Sequence, residues 1–256
     1  MRAIAIMNNK GGVGKTVTAI NLADSLVRRY YKRVILADCD GQMNLTRFYL
    51  PEFDPAVNYS MASLLMGDGE PVWEDNLVPL EPGLNLIPGS PDLYNLDLDA
   101  IKDGVSAPEN VRNFVDCVRE DDGADFFIFD CPPGFTTASV GALMAADEVV
   151  IPMLVDGFSF AGTQDMAQQI SNLRRANQGV RIAGVLITQW HNSDVVRQGE
   201  QLLRSMGVPV FQQTIRRTDK VPESTFDRQP IVQYSPGSAA SQDYRKWVAE
   251  YIGREG

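Results

Sequence analysis

The chain has 256 residues, 44% hydrophobic and 22% charged, with a formal net charge of −10. That length suits one substantial core and a single domain spanning 1–256, and the composition excludes a disordered chain. No apolar run approaches the roughly eighteen residues of a membrane span, and the opening MRAIAIMNNK lacks the long apolar stretch of a secretory signal, so a cytoplasmic protein is expected.

In chain order, short apolar runs alternate with helical patterns. The runs RAIAIM (2–7), RVILAD (33–38), LNLIP (84–88), FFIFD (126–130), EVVIPMLV (148–155) and IAGVLIT (182–188) are apolar on both faces, as buried parallel strands require. Helices are predicted near 15–30, 109–120, 137–146, 160–176, 193–206 and 239–252. The region 50–108, rich in Pro, Gly and Asp, reads as loops with short helices on the same domain. The expected fold is α/β, a mostly parallel twisted sheet with helices on both faces, and its ligands belong beyond the carboxyl ends of the strands.

The first strand end carries NNKGGVGKT, residues 8–16. Gly11, Gly12 and Gly14 allow backbone N–H groups to converge, and the following helix adds its positive end, a cradle for polyphosphate. Lys15 is placed to reach the β and γ phosphates of a nucleotide and Thr16 to offer its hydroxyl to Mg²⁺, the arrangement of a P-loop NTPase. The ordinary P-loop has glycine where Asn9 stands and no lysine at position 10. Asn tolerates unusual backbone angles, so Asn9 does not damage the loop.

Lys10 is the informative departure. KGGVGKT, residues 10–16, resembles the KGGxGK[ST] loop of the ParA/MinD family of deviant Walker A ATPases, and the resemblance runs along most of the chain. It implies that Asn9, Lys10, Gly11, Gly12, Val13, Gly14, Lys15, Thr16 and Val17 surround ATP. It further implies that Lys10 acts across a nucleotide-sandwich homodimer, neutralising charge on the transferred phosphoryl group of the other subunit. Val17 stands where the family often has a second threonine, so an α-phosphate contact is missing.

The next strand ends extend the match. DCDGQMNLT, residues 38–46, resembles the family's DxDxQxxxT segment, which implies that Asp38 supports the magnesium region and Asp40 lies near both metal and attacking water. Gly41 occupies the family's proline position, whereas Gln42 and Thr46 match. A pair of helix-capping aspartates is the plainer alternative. FFIFDCPPG, residues 126–134, has the form of a Walker B strand, in which Asp130 holds Mg²⁺ through water and Gly134 leaves the backbone free to sense the γ-phosphate. Cys131 belongs to that motif; with Cys39 and Cys117 it reads as a reduced thiol.

TIRRTDKVPES, residues 214–224, resembles in part the family stretch bordering the adenine, and implies base contacts from Arg216 and Thr218. His191, the only histidine, has no second histidine with which to build a metal cluster and is expected to be packed or on the surface. Residues 1–150 carry 11 basic and 23 acidic side chains, residues 151–256 carry 12 and 10, so the second half can present a basic face. Partition members of the family bind DNA nonspecifically through this half, which puts Arg197, Arg204, Arg217 and Lys220 forward as DNA contacts; ordinary solvated side chains are the alternative. The family implies a small partition ATPase, driven into dimers by ATP and stimulated by a ParB-like centromere-binding partner. A MinD-like membrane positioner and a non-catalytic nucleotide-binding adaptor are the other readings. The C-terminal segment YRKWVAEYIGREG is expected to dock on the core rather than on a bilayer.

Overall fold

The computed structural model describes every residue except 56–57, 69–71, 104–107, 156–167, 169–170, 173, 175–176 and 254–256. Seven strands form one sheet: β1 (Arg2–Ile6), β2 (Val34–Asp38), β3 (Val78–Glu81), β4 (Leu84–Ile87), β5 (Phe126–Asp130), β6 (Glu148–Leu154) and β7 (Arg181–Thr188). Their order is β3-β4-β2-β5-β1-β6-β7, and all neighbours are parallel except the edge pair β3–β4. All six strands read from the sequence are present. The addition is β3, a half-exposed edge strand whose Pro79 removes a ladder donor, so no continuous apolar run marks it.

The helices of the described residues are α1 (Lys15–Tyr30), α2 (Asn44–Tyr49), α3 (Met61–Met66), α4 (Asp92–Asp103), α5 (Glu109–Glu120), α6 (Thr137–Ala145), α7 (Asp194–Ser205), α8 (Lys220–Phe226), α9 (Ile231–Tyr234) and α10 (Ala239–Gly253). The helix expected at 160–176 lies largely outside the described residues. Region 50–108 is more ordered than its composition suggests, since it holds the β3–β4 pair and the 12-residue α4.

Alternation along the strands creates two cores. Ala3, Ala5 and Met7 of the β1 segment face one side with Ala37, Phe127 and Phe129, under α3, α5 and α6. The alanines leave space for the aromatic side chains: Phe127 stands 4.7 Å from Phe129 and 6.3 Å from Phe114, centroid to centroid. Ile4, Ile6, Leu36 and Ile128 face the other side, under α1 and α10. There Trp247 of α10 is fully buried and meets Phe211 edge-on at 5.7 Å. The apolar face of α10 is thus spent on the core, as expected, and among the described residues no helix is long and apolar enough to cross a membrane.

This strand order decides the site. With β5 between β2 and β1, Asp38 is in register with Asp130, and Asp130 with Ile6, the last residue of β1, two positions before the phosphate loop begins at Asn8. Three chain segments far apart in sequence therefore meet at one end of the sheet.

Candidate active site

The loop after β1 takes its shape from glycine and is pinned on three sides. Gly12 (φ 72°) and Gly14 (φ 88°) adopt the left-handed conformation, and Gly14 starts α1, so Asn9 is not asked to supply it. Asn8, buried at the end of β1, donates to the Pro152 carbonyl of β6 at 2.7 Å and accepts from Lys10 N at 2.9 Å. From the end of β7, the Thr188 hydroxyl donates to Val13 O at 2.8 Å and the Gln189 amide to Gly12 O at 2.8 Å. Lys15 Nζ donates to Asn8 O (3.0 Å) and Lys10 O (2.9 Å), and burial lowers its pKa against the pull of Asp130. Lys10 itself is half-buried.

The carboxylates of β2 and β5 differ in what they have left to give. Asp38 is fully buried; its Oδ2 accepts from Thr46 N (2.8 Å) and Thr46 Oγ1 (2.7 Å), and its Oδ1 from Asp40 N (3.2 Å). Burial pushes its carboxyl up to about 6 despite those bonds. Asp38 therefore shapes the turn that carries Asp40. Asp130 keeps Oδ1 buried with no partner among the described residues. Burial, then the charge of Asp38, raises its carboxyl well above the usual range, while the Thr16 hydroxyl and Lys15 act the other way. Such a carboxylate calls for a cation. Cys39 and Cys131, one residue beyond this pair, are buried free thiols, and Cys39 Sγ donates to Ala37 O at 4.0 Å; Cys117 is also free, so none is in a disulfide.

A cavity of about 780 Å³ opens here, lined by Gly11, Gly12, Gly14, Lys15, Thr16 and Val17 from the loop, by Asp40 and Gln42, by Pro132 and Pro133, and by Arg216, Arg217 and Thr218. Its far wall is fastened by Trp190 N to Ile215 O (2.8 Å) and Arg217 N to Trp190 O (2.9 Å). Arg216 lines the cavity, but Asp243 of α10 holds its Nε at 2.7 Å and a terminal nitrogen at 2.8 Å, so its guanidinium serves first as a tie to that helix. Val17 lines the wall where a hydroxyl was missed; the neighbouring Thr18 hydroxyl is bonded to Tyr244 at 3.3 Å.

Magnesium nucleotide fits these residues. A Cβ at Gly11, Gly12 or Gly14 would meet nothing within 4 Å, so the loop's backbone is accessible to phosphate oxygens. Thr16 and Asp40 line the cavity, Asp40 with Oδ1 fixed by Gln42 N at 2.9 Å, and Asp130, with its unpartnered oxygen, directly precedes the cavity-lining Cys131. The AAA domain family matches residues 1–182. The chromosome-partitioning ATPase Soj of Thermus thermophilus is 31% identical over 99% of this chain and 96% of its own length, and ParA of Caulobacter vibrioides is 31% identical over 100% and 95%. The septum site-determining protein MinD of Pyrococcus horikoshii, complexed with Mg-ADP, superposes with a TM-score of 0.78 at 24% identity, covering 100% of this chain and 97% of that one.

The chain belongs to the ParA/MinD family of P-loop ATPases.

Its cofactors are ATP and Mg²⁺, and its reaction is ATP hydrolysis. In this ParA/MinD ATPase the loop N–H groups, the start of α1 and Lys15 are placed to oppose phosphate charge, while Thr16 and Asp130 would hold the metal. Magnesium supplies neutralisation of charge between the phosphates when bound.

Three of the four side chains proposed for DNA lie away from the cavity and are paired. Arg197 pairs with Asp194 (2.5 Å), Arg204 with Glu200 (2.9 Å) and Lys220 with Glu223 (2.6 Å), each within its own helix. Arg217 is exposed but lines the nucleotide cavity. His191 is on the surface, with Nδ1 3.4 Å from Gln189 O, and no cluster of three metal-ligating side chains occurs among the described residues. Sequence reasoning passed over Asn8, Thr188, Gln189, Gly89 and Tyr94. The first three sit at strand ends, where inspection of every strand end would have found them. Gly89 also follows a strand run, but its neighbour is not legible there: a Cβ on it would lie 2.9 Å from Asp40 O, a contact only the β2–β4 pairing creates, and Tyr94 carries no local signal.

Proposed function

We propose that this ATPase partitions DNA. ATP draws two chains into a homodimer across their phosphate loops, with Lys10 of each reaching toward the nucleotide of the other. The dimer binds double-stranded DNA without sequence preference, and a ParB-like centromere-binding partner stimulates hydrolysis and release. It works in the cytoplasm on the nucleoid. The observation that carries this reading is the end-to-end similarity to a chromosome-partitioning ATPase, 31% identical over 99% of the chain.

The ion pairs of Arg197, Arg204 and Lys220 shape the expected DNA behaviour. Each contact requires a carboxylate neighbour to be outcompeted, so one subunit binds weakly and the dimer gains by doubling the number of phosphates engaged. The test is binding to a nonspecific duplex with a non-hydrolysable ATP analogue and with ADP, across a salt series. Affinity at least about tenfold higher with the analogue, falling steeply with salt, is expected. Equal, salt-insensitive affinities reject DNA partition as the function.

A further inference from the structure

Two residues one turn apart on α4 reach the two loops that frame the nucleotide cavity. The Tyr94 ring lies on Gly41: a Cβ there would sit 2.7 Å from Tyr94 Cε2 and 2.8 Å from Cζ. The Tyr94 hydroxyl accepts from the Gln42 side-chain amide at 2.7 Å, and Gln42 N in turn donates to Asp40 Oδ1 at 2.9 Å. Three residues on, Asp97 Oδ1 accepts from Thr137 N at 2.7 Å. Thr137 opens α6 directly after the segment in which Pro132, Pro133 and Thr136 line the same cavity. Leu93 and Leu96 anchor α4 to the core from its other side.

Tyr94 belongs to neither hydrophobic core and is 44% exposed, so stability alone gives it little work. Its contacts instead converge on the turn Asp40-Gly41-Gln42-Met43, which closes through Met43 N to Asp40 O at 2.9 Å. Gly41 and Tyr94 form a matched pair, because the ring occupies the space that a Cβ at position 41 would need.

We propose that Tyr94 is a positioning residue for hydrolysis: its ring and hydroxyl set the turn that aims Asp40, and α4 links that turn, through Asp97, to the loop following Asp130. The proposal rests on the reading that Asp40 places the attacking water. Displacement of a catalytic group by about 1 Å costs on the order of a hundredfold in rate without weakening ground-state binding, so the signature falls on kcat.

The experiment measures steady-state ATP hydrolysis and binding of a fluorescent ATP analogue for wild type, Tyr94→Phe, Tyr94→Ala, Gly41→Ala, the Gly41→Ala/Tyr94→Ala double variant and Asp40→Ala, with thermal melts confirming the fold. The expected result is kcat reduced about tenfold or more in Tyr94→Ala and Gly41→Ala, and less in Tyr94→Phe, with KM and analogue affinity within about twofold. The double variant, in which the added Cβ meets no ring, should turn over no more slowly than Gly41→Ala alone. Wild-type kcat in Tyr94→Ala, a rise in KM at unchanged kcat, or losses that simply multiply in the double variant each overturn the positioning role. Loss of turnover in Asp40→Ala beside wild-type kcat in Tyr94→Ala removes the Tyr94 role alone. Persistent turnover in Asp40→Ala removes both, since a device that aims Asp40 then has no task.

Discussion

Thr46 gives both its backbone nitrogen and its hydroxyl to a single oxygen of Asp38, at 2.8 and 2.7 Å, and the same hydroxyl accepts from Gly89 N at 2.8 Å. One side chain thereby joins β2, the start of α2 and the end of β4 beneath the turn that carries Asp40. Thr46→Val keeps the shape but leaves a buried acid and a buried N–H each short of a partner. We expect a loss of about 3 kcal/mol in urea unfolding, with Thr46→Ser within about 1 kcal/mol of wild type. A Val variant as stable as wild type would show that the Asp38 carboxyl needs no donor there.

Asp38 also makes a pH prediction. Its folded pKa of about 6 lies above the ordinary 3.8, so the folded state retains a proton that the unfolded chain releases between those values. Its contribution to stability is complete below about pH 4, declines as pH rises toward about 6 and is flat above. Asp130 is shifted in the same direction. Comparing urea midpoints of the nucleotide-free protein at pH 4.5 and 7, Asp38→Asn should lose less stability on that rise than wild type does. Identical titration of the two proteins refutes the assignment.

The unpartnered Oδ1 of Asp130 predicts metal dependence. Mg²⁺ should strengthen ATP-analogue binding to wild type by about tenfold or more, and by less than about twofold in Asp130→Asn. Because the substitution removes a poorly compensated buried charge, the nucleotide-free variant should stay within about 1 kcal/mol of wild-type stability. An undiminished magnesium response in the variant assigns the metal to another group.

Lys10 and Lys15 separate by the readout each moves. Lys15 is buried inside the loop with its ammonium on two loop carbonyls, whereas Lys10 is only half-buried. Lys10→Ala should bind ATP analogue within about threefold of wild type and hydrolyse ATP at least about a hundredfold more slowly, as removal of a cation supplied across an interface does. Mixing this variant with Lys15→Ala, defective in its own phosphate site but carrying Lys10, should restore part of the turnover. Wild-type hydrolysis by Lys10→Ala ends the trans role.

By itself the sequence determined the class of fold, the six apolar strands and the positions of the loop, Asp38, Asp40 and Asp130. Each of these is a local matter: strands buried on both faces read as continuous apolar runs, and a phosphate loop needs its glycines, lysine and threonine consecutively. Only the tertiary structure decided how these parts work on one another. The order β2-β5-β1 sets Asp38 against Asp130, the pairing of β4 with β2 brings Gly89 under Asp40, and α4 lays Tyr94 over Gly41. None of these contacts repeats with a helical or strand period. They arise where segments distant in sequence pack together, so composition and spacing carry no trace of them.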